Sequence, residues 1–122
     1  MDIAARSLLV VVALLHVYFL VLEMFLWATP FGLKTFGRTQ AEQDATKVLA
    51  GNQGLYNGFL AAGLVWSAFD ASTSALSLRL FFLLCVLVAG IYGGATAARK
   101  ILYVQALPAL VALVVVWLAR AP

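Results

Sequence analysis

The sequence predicts an all-α integral membrane protein, a bundle of four transmembrane helices. The chain of 122 residues is 65% hydrophobic and only 11% charged, whereas soluble globular domains carry about 25% charged residues. Its mean hydropathy is +1.03. A spanning helix needs about 20 apolar residues, so this length holds four spans, short connections and no second domain. We therefore expect a single four-span membrane domain over residues 1–122.

The first span is predicted over about residues 3–27. Its apolar run is longer than the central segment of a signal peptide, contains His16 and Glu23, and ends at Trp27 without a small-residue cleavage pattern. We therefore expect this segment to stay in the protein as a spanning helix.

The second helix is predicted over about residues 40–69. Before it, the proline and glycine residues of 29–32 and 36–37 break the chain, and we expect a short loop segment at the membrane interface there. Thr39 and Glu42 have the spacing of a capping box, in which each side chain bonds the other residue's free backbone N–H at a helix start.

The third and fourth helices are predicted over about residues 78–98 and 101–119. Arg99 and Lys100 mark a tight hairpin between them. Pro108 should kink the fourth helix, because proline lacks the N–H that would continue the backbone ladder.

Basic residues predict the orientation of the four spans. The first and third connections carry five of them, against three on the other side: Lys34, Arg38, Lys47, Arg99 and Lys100 against Arg6, Arg79 and Arg120. Because positive loops stay in the cytoplasm, we expect a multi-pass protein of the inner membrane with its first and third connections cytoplasmic.

Several functional classes are disfavoured by the sequence. The net charge of +3 comes without the basic stripe and interleaved aromatic residues of a nucleic-acid surface, so we expect no nucleic-acid partner. Cys85 is the only cysteine, so the chain forms no internal disulfide, and a single histidine predicts no metal site. No cofactor motif or known catalytic signature is present, and we expect no cofactor.

The clearest ionisable residues inside the first span, where a charge is costly, are His16 and Glu23. His16 and Glu23 are seven residues apart, which places them on one helix face, roughly 10 Å apart along the axis. A carboxyl group there must find a hydrogen-bond donor or take up a proton. We expect Glu23 to be the acid or base of a membrane-embedded site and His16 a relay; the alternative is that both only join helices.

The second helix adds four polar side chains within an arc of about 140°: Asn52, Gln53, Tyr56 and Asn57. They exceed what a single interhelical contact needs, so a binding role and a packing role are both open. A separate arc carries small residues, and the third helix repeats the pattern: Gly54, Gly58 and Ala62, then Gly90, Gly94 and Ala98. Matched small residues predict a close approach of the second and third helices.

The predicted site unites these polar residues with others at similar depth in one half of the membrane. Glu23 and His16 are its candidate catalytic residues, and its ligand-binding candidates are Trp27, Asn52, Gln53, Tyr56, Asn57, Arg99, Lys100 and Gln105. Arg99 and Lys100 would hold an anionic head group at its mouth. The alternative is that polar residues lie near one interface because insertion costs less there.

Three functions agree with this site. The first is the binding of a small amphipathic molecule, such as a lipid or a quinone-like compound, with or without acid–base chemistry. The second is a proton-coupled transporter or channel subunit, which requires a homo-oligomer because four helices enclose little volume. The third is an accessory or assembly subunit of a membrane complex. Apart from the lipid bilayer, the sequence does not indicate a particular partner.

The chain resembles the small bacterial membrane proteins grouped as domain of unknown function 1304. The resemblance covers nearly the whole chain and is carried by His16, by 23–27, by Pro30 with Gly32, by 36–37 and above all by the segment Asn-Gln-Gly-Leu-Tyr-Asn-Gly at 52–58. It implies a four-span membrane protein of about this length, and it implies no activity.

Overall fold

The computed structural model describes residues 3–120, and every regular element in that range is helical. The elements are α1 (Ile3–Met24), α2 (Pro30–Phe36), α3 (Gln40–Phe69), α4 (Ala75–Thr96), a π-helical turn (Leu102–Ala106) and α5 (Leu107–Leu118). The predicted all-α class is confirmed for this part of the chain.

Two of the helices are long and apolar enough to cross a membrane. They are Ile3–Met24 and Ala75–Thr96, each with 22 residues. The apolar helical stretch Leu102–Leu118 is shorter. The helix α3 has 30 residues, but three side-chain amides in its middle lower its hydropathy.

The chain between α1 and α3 is more helical than predicted. The first helix ends at Met24 and not at Trp27, because the carbonyl of Val21 accepts the N–H groups of both Phe25 and Leu26 and the ladder stops there. The expected interfacial loop contains the helix α2. Thr29 caps its start, Pro30 occupies its first turn, and Gly37 ends it with a φ of 63°, a conformation that costs glycine little.

The last two predicted helices also begin and end elsewhere. The third helix is Ala75–Thr96 rather than 78–98. The predicted final helix 101–119 is divided, because Leu107 donates its N–H to Leu102, five residues back, in a π-helical turn directly before Pro108. This wider turn accommodates the proline ring.

The described chain divides into two compact units. The first, which we call the apolar unit, comprises residues 3–15 and 60–120; the second, which we call the polar unit, comprises 16–59. The apolar unit has a core of aliphatic side chains from α1, α3, α4 and α5, including Leu9, Val12, Leu64, Leu83, Val86 and Val116.

The glycines of the two small-residue faces approach neighbours other than those that the sequence predicted. In the polar unit, a Cβ atom on Gly54 or Gly58 would lie 2.6 Å from a side-chain atom of Met24 or Leu20, both in α1. In the apolar unit, Gly90 and Gly94 face the π-helical turn, where Ala106 and Leu102 approach them. The small residues of α3 and α4 have the same spacing, and each set permits a close helix contact. The neighbour in that contact is α1 for α3 and the π-helical turn for α4.

Candidate functional site

The centre of the candidate site is a hydrogen bond between α1 and α3 in the polar unit. Asn57 donates its side-chain Nδ2–H to Oε2 of Glu23 at 2.6 Å. Asn57 is buried, with 8% of its surface exposed, and Glu23 is half-buried. The structure thus supplies the donor that a carboxyl group in an apolar helix requires.

Glycine at position 54 makes this contact geometrically feasible. A Cβ atom on Gly54 would meet the Cγ of Met24 at 2.6 Å and the Cβ of Glu23 at 3.1 Å, so the two helices are nearly in backbone contact. Asn57 follows Gly54 by three residues and therefore lies on the same side of α3. Its short amide can reach the carboxyl group only because the helices are this close.

His16 lies on α1 about two turns before Glu23 and is almost completely buried, with 1% of its surface exposed. Its ring packs edge-on against Phe19, with 5.5 Å between ring centroids. A buried imidazole in this position is enclosed by protein and cannot contact a ligand in the surrounding medium directly.

The four polar residues of the second predicted helix are divided between two faces. Only Asn57 is buried, whereas Asn52, Gln53 and Tyr56 are exposed. Gln53 precedes Asn57 by four residues, so it lies one turn away on the same side of α3. Asn52 and Tyr56 are likewise four residues apart and share the outward face.

Trp27 joins the turn after α1 to the first turns of α3. Its indole Nε1–H is shared by the backbone carbonyl of Gln43 and the hydroxyl of Thr46, both at 3.1 Å. In return, Nε2 of Gln43 donates to the carbonyl of Trp27 at 3.0 Å. The indole ring also packs against the ring of Phe36, with 4.5 Å between the ring centroids. The indole N–H of this predicted ligand-binding residue is therefore engaged in a contact within the chain.

The sequence interpretation missed Gln43, which is fully buried. In the structure, Gln43 belongs to the buried side of α3: positions 43, 50, 54, 57 and 61 recur at intervals of seven, four, three and four, and all five are buried. That spacing marks one face of a helix. The sequence alone assigned the start of this helix only a capping box at Thr39 and Glu42, and it assigned no inward role to Gln43.

The remaining predicted ligand-binding residues belong to the apolar unit. Arg99 and Lys100 are exposed in the connection after α4, and Gln105 is half-buried in the π-helical turn. The amide of Gln105 lies 3.5 Å from the carbonyl of Val86. Arg99 borders an open groove of about 520 Å³ that Gly94, Thr96 and Leu102 also line.

Within the polar unit, the arrangement can orient a carboxyl group and leave part of it available. One oxygen of Glu23 is held by Asn57. Among residues 3–120, no hydrogen bond engages the other oxygen, which leaves it able to accept from a bound molecule or to carry a proton.

The fold and this site define a class: small all-helical proteins with two membrane-length apolar helices and a carboxyl–amide pair between α1 and α3. The chain belongs to the family described as "Protein of unknown function (DUF1304)", whose model matches residues 10–117. The predicted resemblance is confirmed, and the matched range includes His16, Glu23 and the segment 52–58.

A curated relative matches nearly the whole chain. The chain is 33% identical over 116 residues to "Uncharacterized protein YpaA" of Lactococcus lactis subsp. lactis (strain IL1403), and the match covers 93% of this chain and 97% of that protein. No solved structure matches the chain.

Proposed function

We propose that the protein is a multi-pass protein of the bacterial inner membrane that binds a small amphipathic molecule at Glu23 and Asn57. The observation that carries the proposal is the 2.6 Å hydrogen bond from Asn57 to Glu23, near the end of a predominantly apolar helix. A carboxyl group costs free energy in such a helix, and a function explains why one is kept there.

The polarity around Glu23 supports an amphipathic ligand. Gln53 is exposed one turn before Asn57, and Phe25 is exposed beyond the end of α1. A polar head group could hydrogen-bond Glu23 and Gln53 while its apolar part lies along the apolar surface of the helices. Glu23 would then accept a hydrogen bond or a proton from the ligand, and Asn57 would orient its carboxyl group.

The four-span arrangement is part of this proposal. Two helices have the length and hydropathy of spans, the segment 48–69 of α3 contains no charged residue, and Leu102–Leu118 is apolar. With four spans, the balance of basic residues favours cytoplasmic first and third connections.

Cysteine labelling tests the orientation. In a Cys85→Ser background, we expect Thr73→Cys to react with a membrane-impermeant maleimide in intact cells and Lys34→Cys to react only after lysis. Both positions are exposed in the structure. The reverse pattern would show that the orientation is opposite to the proposed one. Labelling of both cysteines in intact cells would rule out an odd number of spans between positions 34 and 73.

Native mass spectrometry of the protein released gently from its own membranes tests the binding site. We expect a bound small molecule on the wild type and its loss in Glu23→Gln. Asp44→Asn is the matched control, because it makes the same chemical change at an exposed carboxyl group of the same unit. A folded Glu23→Gln protein that keeps the molecule, or a wild type that carries none, would contradict the proposal.

A second candidate function, an assembly subunit, is favoured by the outward face of α3. Asn52 and Tyr56 are exposed, and polar groups that face lipid commonly hydrogen-bond a neighbouring helix. If this is the function, purification in mild detergent should yield one stoichiometric protein partner, and Asn52→Leu should release that partner while Glu23→Gln retains it.

A further inference from the structure

The N-terminal part of α4 in the apolar unit carries a buried arginine. Arg79 has only 7% of its surface exposed. Its Nε–H donates to the carbonyl of Ser67 at 2.8 Å, and its Nη2 donates to the carbonyl of Asp70 at 2.9 Å. Both acceptors are neutral backbone groups at the end of α3, so these bonds satisfy N–H groups without cancelling the charge.

A second guanidinium group lies close to the first. Arg6, in the second turn of α1, repels Arg79 electrostatically. The Nε of Arg6 is buried and has no hydrogen-bond partner among residues 3–120. Two like charges brought together, one with a buried donor left unsatisfied, cost free energy, and an anion shared between them would offset that cost.

The nearby acidic group only partly compensates these charges. Asp70 attracts Arg79, but one oxygen of its carboxylate already accepts from the hydroxyl of Ser72 at 2.6 Å. Among the described residues of this cluster, two guanidinium groups therefore face one carboxylate, which leaves a charge of one positive unit.

We propose that Arg6 and Arg79 form a binding site for a phosphate group. Guanidinium groups bind phosphate through paired N–H donors, and a phosphate has enough oxygens to be shared by two of them. No hydrogen bond among residues 3–120 uses Nη1 of Arg79, which is therefore available as a donor. This site belongs to the apolar unit and does not depend on the proposed site at Glu23.

The phosphate has two sources that the chemistry does not separate, a phospholipid head group and a free phosphate ion. Arg6 is the fourth residue of α1, and Arg79 is the fifth residue of α4. Both helices have membrane length, so residues this close to their ends would lie at head-group depth if the helices span a bilayer.

The experiment compares the full-length wild type with Arg6→Gln in detergent. Arg6 is the better position, since Arg79 also holds the end of α3 and its loss would change the fold. Arg120→Gln is the matched control: it removes the same charge from the same unit, where the Arg120 guanidinium lies over the Trp117 ring at 3.1 Å from its centroid. Arg6→Lys keeps the charge without the paired donors and serves if Arg6→Gln does not fold.

Two probes separate the sources. Native mass spectrometry measures binding of phosphatidylglycerol against a glucosyl diacylglycerol with the same acyl chains, and thermal unfolding compares sodium phosphate with sodium chloride at equal ionic strength. We expect phosphatidylglycerol binding to weaken roughly tenfold or more in Arg6→Gln, less in Arg6→Lys, and to be unchanged in Arg120→Gln.

Each outcome decides the matter. Preferential phosphatidylglycerol binding that needs Arg6 identifies the head group as the ligand. A rise in the unfolding temperature with phosphate that needs Arg6, without a lipid preference, identifies the free ion. If Arg6→Gln, or Arg6→Lys in its place, equals the wild type with both probes, or if Arg120→Gln loses as much, the proposed site does not exist.

Discussion

The apolar unit and the polar unit are held together by different forces. The core of the apolar unit consists of aliphatic side chains such as Leu9, Leu64 and Leu83, each fully buried. The polar unit is held by side-chain hydrogen bonds between residues far apart in sequence, at Trp27 with Gln43 and at Glu23 with Asn57.

In the membrane location that we propose, the difference corresponds to two ways to fix a helix pair. Lipid tails are as apolar as leucine, so an apolar contact gains specificity only from close packing. A hydrogen bond is directional and leaves an unsatisfied group if the helices shift. We infer that close packing of side chains fixes the helix positions within the apolar unit, whereas hydrogen bonds between side chains fix them within the polar unit.

The largest expected effect is the loss of packing in the apolar unit. Leu64→Ala removes a fully buried side chain and should lower the free energy of unfolding by about 2–5 kcal/mol, because a cavity remains. Denaturant unfolding in detergent measures this change. Leu84→Ala, at a position that is 49% exposed, should cost far less, and equal losses would show that close packing does not determine this unit.

A backbone contact in the polar unit should give the next largest effect. A Cβ atom on Gly32 would lie 2.1 Å and 2.2 Å from the carbonyl oxygens of Leu26 and Trp27, and backbone cannot move aside easily. Gly32→Ala should destabilise the protein by about 1–3 kcal/mol in the same unfolding assay.

Gly51→Ala is the control for that substitution. A Cβ atom there has no atom within 4 Å, and alanine is the better helix former, so stability should rise by up to about 1 kcal/mol. A similar loss at both positions would mean that any added methyl group disturbs the unit.

Removal of the indole N–H of Trp27 should have a smaller effect. Trp27→Phe keeps an aromatic ring beside Phe36 and deletes the bonds to Gln43 and Thr46, at a cost of about 1 kcal/mol. Trp117→Phe makes the same change at an exposed site of the apolar unit and should stay within about 0.5 kcal/mol. If Trp117→Phe lowers the free energy of unfolding more than Trp27→Phe does, hydrogen bonds do not distinguish the polar unit from the apolar unit.

The smallest expected effect is a pH dependence at the start of α3. The pKa of Glu42 is lowered from its ordinary value of 4.5, first by the hydrogen bond from the backbone N–H of Thr39 and then by the Thr39 hydroxyl. Because the folded-state pKa lies below that of the unfolded chain, this stabilisation is present at neutral pH and is lost as the pH falls below about 4.5.

Glu42→Gln should remove that part of the acid dependence. Unfolding measured from pH 7 to pH 3 should show a shallower loss of stability in this variant than in the wild type. Asp44→Asn, one residue beyond Gln43 and also exposed, provides the comparison, and an equal change in both variants would assign the effect to general surface charge.

Local rules predicted the features that depend on neighbouring residues. The capping box of Thr39 and Glu42 is confirmed, with reciprocal bonds of 2.8 Å and 3.3 Å. Local rules were less successful for α2, because its proline and glycine were interpreted as breaks although they lie at its first turn and its end, where helices tolerate them. They also missed Arg79, whose role depends on carbonyl groups of another helix.

The sequence by itself determined the helical class, the family and the carboxyl group that requires a donor, because composition and spacing along one helix suffice for these. Only the tertiary structure decided that Asn57 is that donor while Asn52, Gln53 and Tyr56 are exposed, and that Gly54 and Gly90 contact different neighbours. Helical periodicity gives the angle of each side chain around the axis of its helix. It does not state which helix lies at that angle, which depends on the packing of the whole chain.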